Sequence, residues 1–304
     1  MSRATIVRAV FAMPVAVILL LGTLVAVWLH TGNIPLAGGS RWFTVVKVGE
    51  AHFTDEPTEP FFFLAVGNDG RTGDVDVRGD AIHLIGVNPA LRSATILDIP
   101  RDTTATIPGN GRQKINAAQA IGGLPLLTET VADLVGVSIP YAITTDFDGF
   151  QALVDGVGGV DVFVETEMSD QYSGAFFTPG LHHMNGDEAL RFSRDRHDLP
   201  NGDIGRSVNQ GNFIIAALAQ LRANNLGAAG TLRSLATLGA HTHMEGVGLT
   251  DLYRLGRLAL SIDPVNIRNV AIPVGTGSGA NLALGAGAAG LFADFADDAV
   301  LQSH

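Results

Sequence analysis

The first strong pattern along the chain is an almost unbroken apolar stretch at residues 9–29. In a helix with a rise of ~1.5 Å per residue, about 20 residues cross the hydrocarbon core of a membrane. Arg3 and Arg8 precede the stretch, so the positive-inside tendency places residues 1–8 in the cytoplasm and the rest of the chain outside. The alternative is a cleaved signal peptide, whose apolar region is usually only ~7–15 residues long. We therefore expect a single-pass membrane anchor at 9–29.

Short apolar runs of strand type follow a segment that is rich in glycine and proline. Residues 30–60 are predicted to form a stalk that contains one strand near Trp42–Val48. Further strands are predicted at 61–67, 81–88 and 93–100. Asn88 and Pro89 form a turn signal between the last two strands and predict a hairpin.

Helical and strand patterns alternate through the rest of the chain. Strands are expected at 141–146, 160–164 and 267–272, and helices at 116–121, 125–135, 147–157, 186–191, 207–222, 231–240 and 250–261. Gly122 and Gly123 separate the first two helices, residues 165–185 are expected to be a polar loop, and no element is assigned at 275–290. This alternation predicts an α/β domain at 61–304, in which helices cover both faces of one sheet.

Composition narrows the classes of function. The apolar fraction is 46% and the charged fraction is 16%, which excludes a wholly disordered chain. The formal net charge of −11 disfavours nucleic acid as a partner, because proteins that bind nucleic acid are usually basic. The absence of cysteine excludes disulfides, thiol nucleophiles and cysteine metal sites.

Arginine and aspartate recur together where apolar strands end and where helices begin. They occur in six clusters, which hold seven of the ten basic residues between positions 60 and 215: 67–71, 78–80, 100–102, 114–116, 194–196 and 202–206. Ligands in open α/β sheets bind at strand ends, and a guanidinium group holds a phosphate through two hydrogen bonds. The clusters therefore predict an anion site.

Asp69 and Asp80 in the same clusters predict a divalent cation beside that anion, since two carboxylates facing phosphate oxygens commonly hold Mg²⁺. The alternative for each cluster is a solvated ion pair on the surface, worth roughly 0–1 kcal/mol. The position of all six clusters beside strands or helix starts favours the anion site.

These motifs, in this order, resemble the LytR-CpsA-Psr family over about residues 61–215. The resemblance is carried by the stretches FLAVGND, RGDAIHLIGVNP, ILDIPRDT, KINAAQAIGG, FDGFQALVDGVGGVDV, HHMNGDEALRFSRDR and GDIGRSVNQ. Gly79 and the pair Phe192-Ser193 depart from the family pattern, but every charged position of the pattern is present.

The resemblance implies an α/β/α sandwich with a central mixed sheet and a long hydrophobic pocket, preceded by one N-terminal transmembrane helix. A polyprenyl chain would lie in the pocket with its pyrophosphate at the mouth. The residues that match pyrophosphate-binding positions are Arg78, Arg101, Lys114, Arg194, Arg196, Arg206 and Gln210. Asp69 and Asp80 match positions that bind Mg²⁺ or Mn²⁺.

The activity that the resemblance implies is phosphotransfer at the outer face of the cell membrane. A glycopolymer would move from a polyprenyl-pyrophosphate carrier to a muramic acid hydroxyl of peptidoglycan, forming a phosphodiester. The expected catalytic set is Arg101, Asp102, Arg194, Arg196, Asp203 and Arg206. The arginines would stabilise transition-state charge, and Asp102 or Asp203 would act as general base or orient an arginine.

Two other functions fit the same residues. A pyrophosphatase would use water in place of the wall hydroxyl and release lipid phosphate. A non-catalytic lipid-binding or regulatory protein of the envelope would bind the carrier without transfer. The intact Asp69, Asp80 and Arg101 favour an enzyme.

Overall fold

A computed structural model describes residues 43–50, 58–69, 78–224, 241–277 and 279–302. Within those ranges no helix is both long and apolar enough to cross a bilayer. The anchor predicted at 9–29 and the helix predicted at 231–240 lie outside the described residues.

The described strands are β1 (Phe43–Lys47), β2 (Phe61–Asn68), β3 (Gly79–Asn88), β4 (Ser93–Asp98), β5 (Thr104–Ile107), β6 (Gly111–Lys114), β7 (Tyr141–Thr145), β8 (Val160–Val164), β9 (Met168–Asp170), β10 (Ala175–Phe177), β11 (Gly180–Met184), β12 (Thr242–Glu245), β13 (Ile267–Ala271), β14 (Val274–Thr276) and β15 (Leu282–Leu284). The described α-helices are α1 (Ala117–Val135), α2 (Phe147–Gly156), α3 (Gly186–Arg194), α4 (Asp203–Asn224), α5 (Leu249–Ser261) and α6 (Ala288–Asp298), with a 3₁₀ turn at Pro264–Asn266.

A mixed sheet of seven strands forms the centre of the fold, in the order β12-β1-β7-β2-β3-β4-β13. Strands β2, β3 and β4 pair antiparallel, whereas β7 pairs parallel to β2 and β13 pairs parallel to β4. The hairpin predicted at Asn88 is the β3–β4 connection. A mixed sheet was expected and is confirmed.

Each face of this sheet is covered by helices. Along β2, alternate side chains are buried, as the period of a strand requires, and Leu64 and Leu84 pack on one face with α1 and α6. On the opposite face, Ile85 and Ile96 pack against Ile214 of α4 and against α5. The predicted arrangement of one sheet with helices on both sides is therefore correct.

A smaller unit with its own apolar core packs beside the sheet. It contains α2, α3, the antiparallel pair β8 and β11, and the β9–β10 hairpin, and Phe213 of α4 contributes to its core. The prediction of a polar loop at 165–185 was wrong, because strands β9, β10 and β11 occupy most of it. Strands of three to five residues are too short to give a periodic signal.

Three further elements differ from or refine the predictions. Strand β1 lies in the central sheet between β12 and β7, so part of the segment assigned to a stalk belongs to the folded domain. Helix α1 is interrupted at Gly122 and at Gly123, whose φ of 70° is left-handed, which confirms the predicted break. The unassigned tail contains β14, β15 and α6.

Candidate anion site

Asp80 and Arg101 meet at the end of the central sheet. Gly67 pairs with Ala81 and Asn68 pairs with Gly79, so Asp80 is an extra residue in β3, as in a β-bulge. A bulge re-aims a side chain at the edge of a ladder. The Asp80 Oδ1 atom lies 2.7 Å from Nη1 of Arg101, which follows β4, and both side chains are about one-fifth exposed.

Arg206 brings the first turn of α4 to the same place. Its guanidinium Nη2 lies 2.8 Å from Asp203 Oδ1, one helical turn earlier, and donates a hydrogen bond to the Asp80 carbonyl oxygen at 3.3 Å. Its side chain is only 9% exposed. Asp80, Arg101, Asp203 and Arg206, which are far apart in sequence, therefore form one cluster, here called the arginine cluster.

The surroundings shift the pKa values of the two arginines in the cluster in opposite directions. Burial would lower the pKa of Arg101, but the hydrogen bond and charge of Asp80, with the charges of Asp203 and Asp102, raise it above its usual value. Burial lowers the pKa of Arg206, and the nearby Arg101 and Arg196 act in the same direction against Asp203 and Asp80. An anion bound here would offset the repulsion among these cations.

Several buried polar atoms beside Arg206 have no hydrogen-bond partner among the described residues. They include Arg206 Nε, Asn209 Nδ2, Gln210 Oε1 and Ser193 Oγ. The Gln210 Nε2 atom donates to the Ser193 carbonyl at 2.8 Å, which joins α4 to α3. Buried polar groups are normally satisfied, so the donors on Arg206 and Asn209 fit a polar ligand.

Lys114 and Arg78 lie around a neighbouring cavity. Lys114 Nζ is 2.5 Å from Asp102 Oδ1, which connects β6 to the turn after β4. Both Lys114 and the exposed Arg78 line a cavity of about 270 Å³, whose wall includes Ala117 and Ile121. The carboxylate of Asp102 is thus already engaged by a cation.

Arg194 and Arg196 follow each other around the end of α3. Both are exposed, and the Arg194 guanidinium lies over the Phe147 ring at 5.2 Å, a cation–π contact. Arg196 lies near enough to the arginine cluster for its charge to lower the pKa of Arg206, whereas Arg194 has no hydrogen bond or ion pair with the cluster among the described residues. The predicted pyrophosphate set is therefore divided between a compact cluster and peripheral arginines.

Asn68 of β2 pairs with Gly79 of β3, and Asp69 and Asp80 each follow one member of this pair. Asp69 is exposed and accepts a hydrogen bond from the Arg78 amide at 3.3 Å. The described residues contain no group of three or more side chains suited to hold a metal ion. Two carboxylates nevertheless fit Mg²⁺, which is commonly held by one or two carboxylates together with substrate phosphates and water.

Sequence reasoning missed an amide network that supports this end of the sheet. Gln119 of α1 donates to Asn68 Oδ1 at 2.7 Å, and Asn68 Nδ2 donates to Thr144 Oγ1 at 2.8 Å. Asn68 and Gln119 lie in two of the motif stretches, as does Asn209, but uncharged side chains carried no signal there. Their partial burial beside charged residues becomes visible only in three dimensions.

Comparison with known proteins identifies the class of protein to which this fold and the arginine cluster belong. The model of the LytR_cpsA_psr family matches residues 44–287, and the chain belongs to this family.

Similar curated proteins include teichoic acid transferases of Bacillus. The polyisoprenyl-teichoic acid–peptidoglycan teichoic acid transferase TagU of Bacillus cereus (strain AH820) is 41% identical over 154 residues, which cover 50% of each protein. The corresponding transferase TagV of Bacillus subtilis (strain 168) is 31% identical over 226 residues, covering 70% of this chain and 58% of TagV. The chain thus spans about half the length of the curated relatives it matches.

Solved structures share the fold. The crystal structure of B. subtilis TagV has a TM-score of 0.65 at 24% identity, covering 78% of this chain and 95% of that chain. YwtF (TagT), of B. subtilis, with bound octaprenyl pyrophosphate lipid has a TM-score of 0.60 at 20% identity, covering 86% and 96%.

Proposed function

We propose that the protein is a phosphotransferase that moves a glycopolymer from a polyprenyl-pyrophosphate carrier to peptidoglycan. The observation that carries the proposal is the arginine cluster, in which a buried Arg206 with an unpaired Nε lies beside Arg101 and the Asp80 carboxylate. Membership of the family and the activity of TagU and TagV support the substrate class.

The opposite face of β2 suits the lipid. Phe61, Phe63 and Ala65 alternate along β2 and are only half-buried, although they pack toward Ile214 and Ile215 of α4. An apolar chain between the sheet and α4 would complete their burial, at about 25 cal/mol per Å² of apolar surface. We assign a polyprenyl chain to this face of the sheet, and YwtF (TagT) with its bound octaprenyl pyrophosphate lipid supports that assignment.

Positioning and charge neutralisation would be the main catalytic tasks of the chain. Arg101 and Arg206 would hold the pyrophosphate oxygens, with Arg194, Arg196, Lys114, Arg78 and Gln210 around them. Asp69 and Asp80 would hold Mg²⁺ or Mn²⁺, which supplies Lewis-acid charge neutralisation.

In the reaction, the acceptor hydroxyl oxygen bonds to the phosphorus on the sugar side. The bond from that phosphorus to the bridging oxygen breaks, and polyprenyl phosphate leaves with the electron pair. We assign the acceptance of the hydroxyl proton to Asp102 or Asp203, since each carboxylate is paired with one cation, Asp102 with Lys114 and Asp203 with Arg206. Asp203 also orients Arg206.

The proposed substrates suit a protein at the outer face of the cell membrane. We propose that residues 9–29 anchor the chain in the cell membrane with residues 1–8 in the cytoplasm, so that the folded domain is extracytoplasmic. Both the lipid carrier and the peptidoglycan acceptor would then be within reach.

Replacing Arg101 tests the proposal. Arg101→Ala removes the cation that pairs with Asp80, so transfer is expected to fall by about 10²-fold or more while the fold persists. Transfer is measured as glycan–peptidoglycan conjugate formed from a polyprenyl-pyrophosphate-linked oligosaccharide, and the fold by circular dichroism.

Arg112→Ala is the matched control, because Arg112 is an exposed arginine on β6. It should transfer at the wild-type rate. A folded Arg101→Ala protein with wild-type transfer would refute the mechanism. Release of free polymer phosphate by the wild-type protein, with no conjugate, would show a pyrophosphatase instead.

A further inference from the structure

Asp195, between Arg194 and Arg196, is turned away from the solvent that its neighbours face. It caps the end of α3 and is 0% exposed, whereas both arginines are exposed. Neither of its carboxyl oxygens has a hydrogen-bond partner among the described residues. A buried carboxylate in this state is costly, because ionised groups out of water need compensating donors.

The group that faces Asp195 is the carboxylate of Asp170 on β9, which is itself buried. Asp170 is well supplied with donors, since Oδ2 lies 2.9 Å from His197 Nδ1 and Oδ1 accepts from the Tyr172 amide at 2.8 Å. The Tyr172 and His197 rings are also in contact, with centroids 4.7 Å apart. Asp170 is therefore held as the ionised partner.

Asp198 is the third acidic group near Asp195. Its carboxylate accepts a hydrogen bond from the Ser169 amide at 2.5 Å, which ties the loop after α3 to β9. Because Asp170 and Asp198 are both acidic, a negative charge on Asp195 would be repelled by each of them.

The pKa values agree with one shared proton. Burial, followed by the charges of Asp198 and Asp170 and by the interaction with the Asp170 carboxyl group, raises the pKa of Asp195 to about 6, and the nearby Asp198 amide, which favours the carboxylate, does not outweigh them. Burial opposes ionisation of Asp170 as well, but hydrogen bonds from His197, Tyr172 and Ser173 outweigh it and lower the pKa of Asp170 to about 2. A split of this kind is typical of two carboxyl groups that share a site.

We propose that Asp195 is a positioning residue, whose neutral carboxyl group donates a hydrogen bond to the Asp170 carboxylate and thereby fixes the segment that carries Arg194 and Arg196. The inference rests on the proposed function, because Arg194 and Arg196 act on a pyrophosphate only in that function. When the proton leaves, the carboxylates repel and the two arginines lose their fixed position.

Asp195→Asn separates this role from simple packing. Asparagine keeps the shape and a permanent donor, so the variant should bind pyrophosphate without the loss that deprotonation causes in the wild type. The probe is geranylgeranyl pyrophosphate, followed by calorimetry between about pH 5 and about pH 8. The ratio of the wild-type Kd to the Asp195→Asn Kd should rise several-fold across this range.

Two further variants complete the series. Asp195→Ala lacks any donor and should bind weakly at every pH. Asp187→Asn, an exposed position on α3 that pairs with Arg191, is the matched control and should follow the wild type. A constant ratio between wild type and Asp195→Asn, or an Asp195→Asn protein that fails to fold, would overturn the inference.

A second measurement keeps the inference independent of the proposed function. If the wild type and Arg101→Ala bind the probe equally, the proposed anion site fails. Carbon-13 NMR of aspartate carboxyl groups then tests the shared proton directly. One carboxyl group should titrate near pH 6 in the wild type and be missing in Asp195→Asn, and its absence from the wild type would contradict the assignment.

Discussion

Asp80 has two roles: its carboxylate pairs with Arg101, and it is a proposed ligand of Mg²⁺. Asp80→Asn keeps the size of the side chain but removes its charge. Transfer is expected to fall by roughly 10²-fold, and the Mg²⁺ concentration for half-maximal rate should increase. Transfer rates measured across a Mg²⁺ titration check both effects.

Asp133→Asn, at an exposed position of α1, is the control for a lost negative charge. It should leave the rate and the Mg²⁺ dependence unchanged. An Asp80→Asn protein with the wild-type Mg²⁺ titration would rule Asp80 out as a metal ligand.

For single residues, the sequence predicts contacts between side chains at the ends of neighbouring strands. It does not predict contacts whose partner lies on a different, unforeseen element. The meeting of Asp80 and Arg101 was predictable, since β3 and β4 form a hairpin whose outer ends are adjacent. The pairing of Lys114 with Asp102 was not, because it depends on the unforeseen β5–β6 hairpin. The stacking of Arg194 on Phe147 depends likewise on how α2 packs beside α3.

Among the elements, α4 connects the core to the site, and Gly211 determines how closely it approaches β13. A Cβ atom at Gly211 would overlap the Asn269 side chain, which donates to the Val208 carbonyl at 2.8 Å. Gly211→Ala should lower the free energy of unfolding by about 1–2 kcal/mol, since overpacking outweighs the gain in helix propensity. It should also weaken transfer, because Arg206 lies on the same helix.

Urea denaturation and the transfer assay measure these two effects. Gly290→Ala in α6 is the matched control, because a Cβ atom there meets nothing within 4 Å. It should raise stability by about 0.5 kcal/mol and leave transfer unchanged. Equal stability and equal transfer rates in the two variants would show that α4 accepts a Cβ atom at position 211 without loss of either.

The elements that the sequence predicted well contain long apolar runs. Helix α4 and strands β2 to β4 each contain such a run, and β3 and β4 are buried on both faces, so their positions were correct to within a few residues. Strands β9 and β10 are three residues each, and their burial depends on Phe192 and Phe213 from distant helices. Such contacts leave no local periodicity for a sequence to show.

For the whole molecule, the two aspartates of the buried pair give opposite dependences of stability on pH. The raised pKa of Asp195 contributes stability that is present below the unfolded value of 3.8 and is lost as the pH rises through about 6. The lowered pKa of Asp170 contributes stability that is present above 3.8 and is lost as the pH falls through about 2.

The free energy of unfolding should therefore decrease between about pH 4 and pH 7 through Asp195, by on the order of 2–3 kcal/mol. Asp195→Asn should remove this decrease, whereas the acid loss from Asp170 should persist. Urea denaturation at several pH values measures both. Parallel curves for wild type and Asp195→Asn would contradict the assignment.

At the same scale, the alternation of elements predicted one sheet between helices, but it did not predict the strand order. The order depends on pairings such as β1 with β12 and β4 with β13, which join residues more than 150 positions apart. Contacts of this range depend on the packing of the complete domain rather than on any local pattern.

The position of β1 has a practical consequence for shortening the protein. A shortened protein that starts at Phe61 would omit β1, although it would retain every charged residue of the arginine cluster. The edges of β7 and β12 would then be left with unpaired amide and carbonyl groups, a state that invites aggregation between molecules. Shortening from the amino terminus should stop before Phe43, so that the sheet keeps the strand that joins β12 to β7.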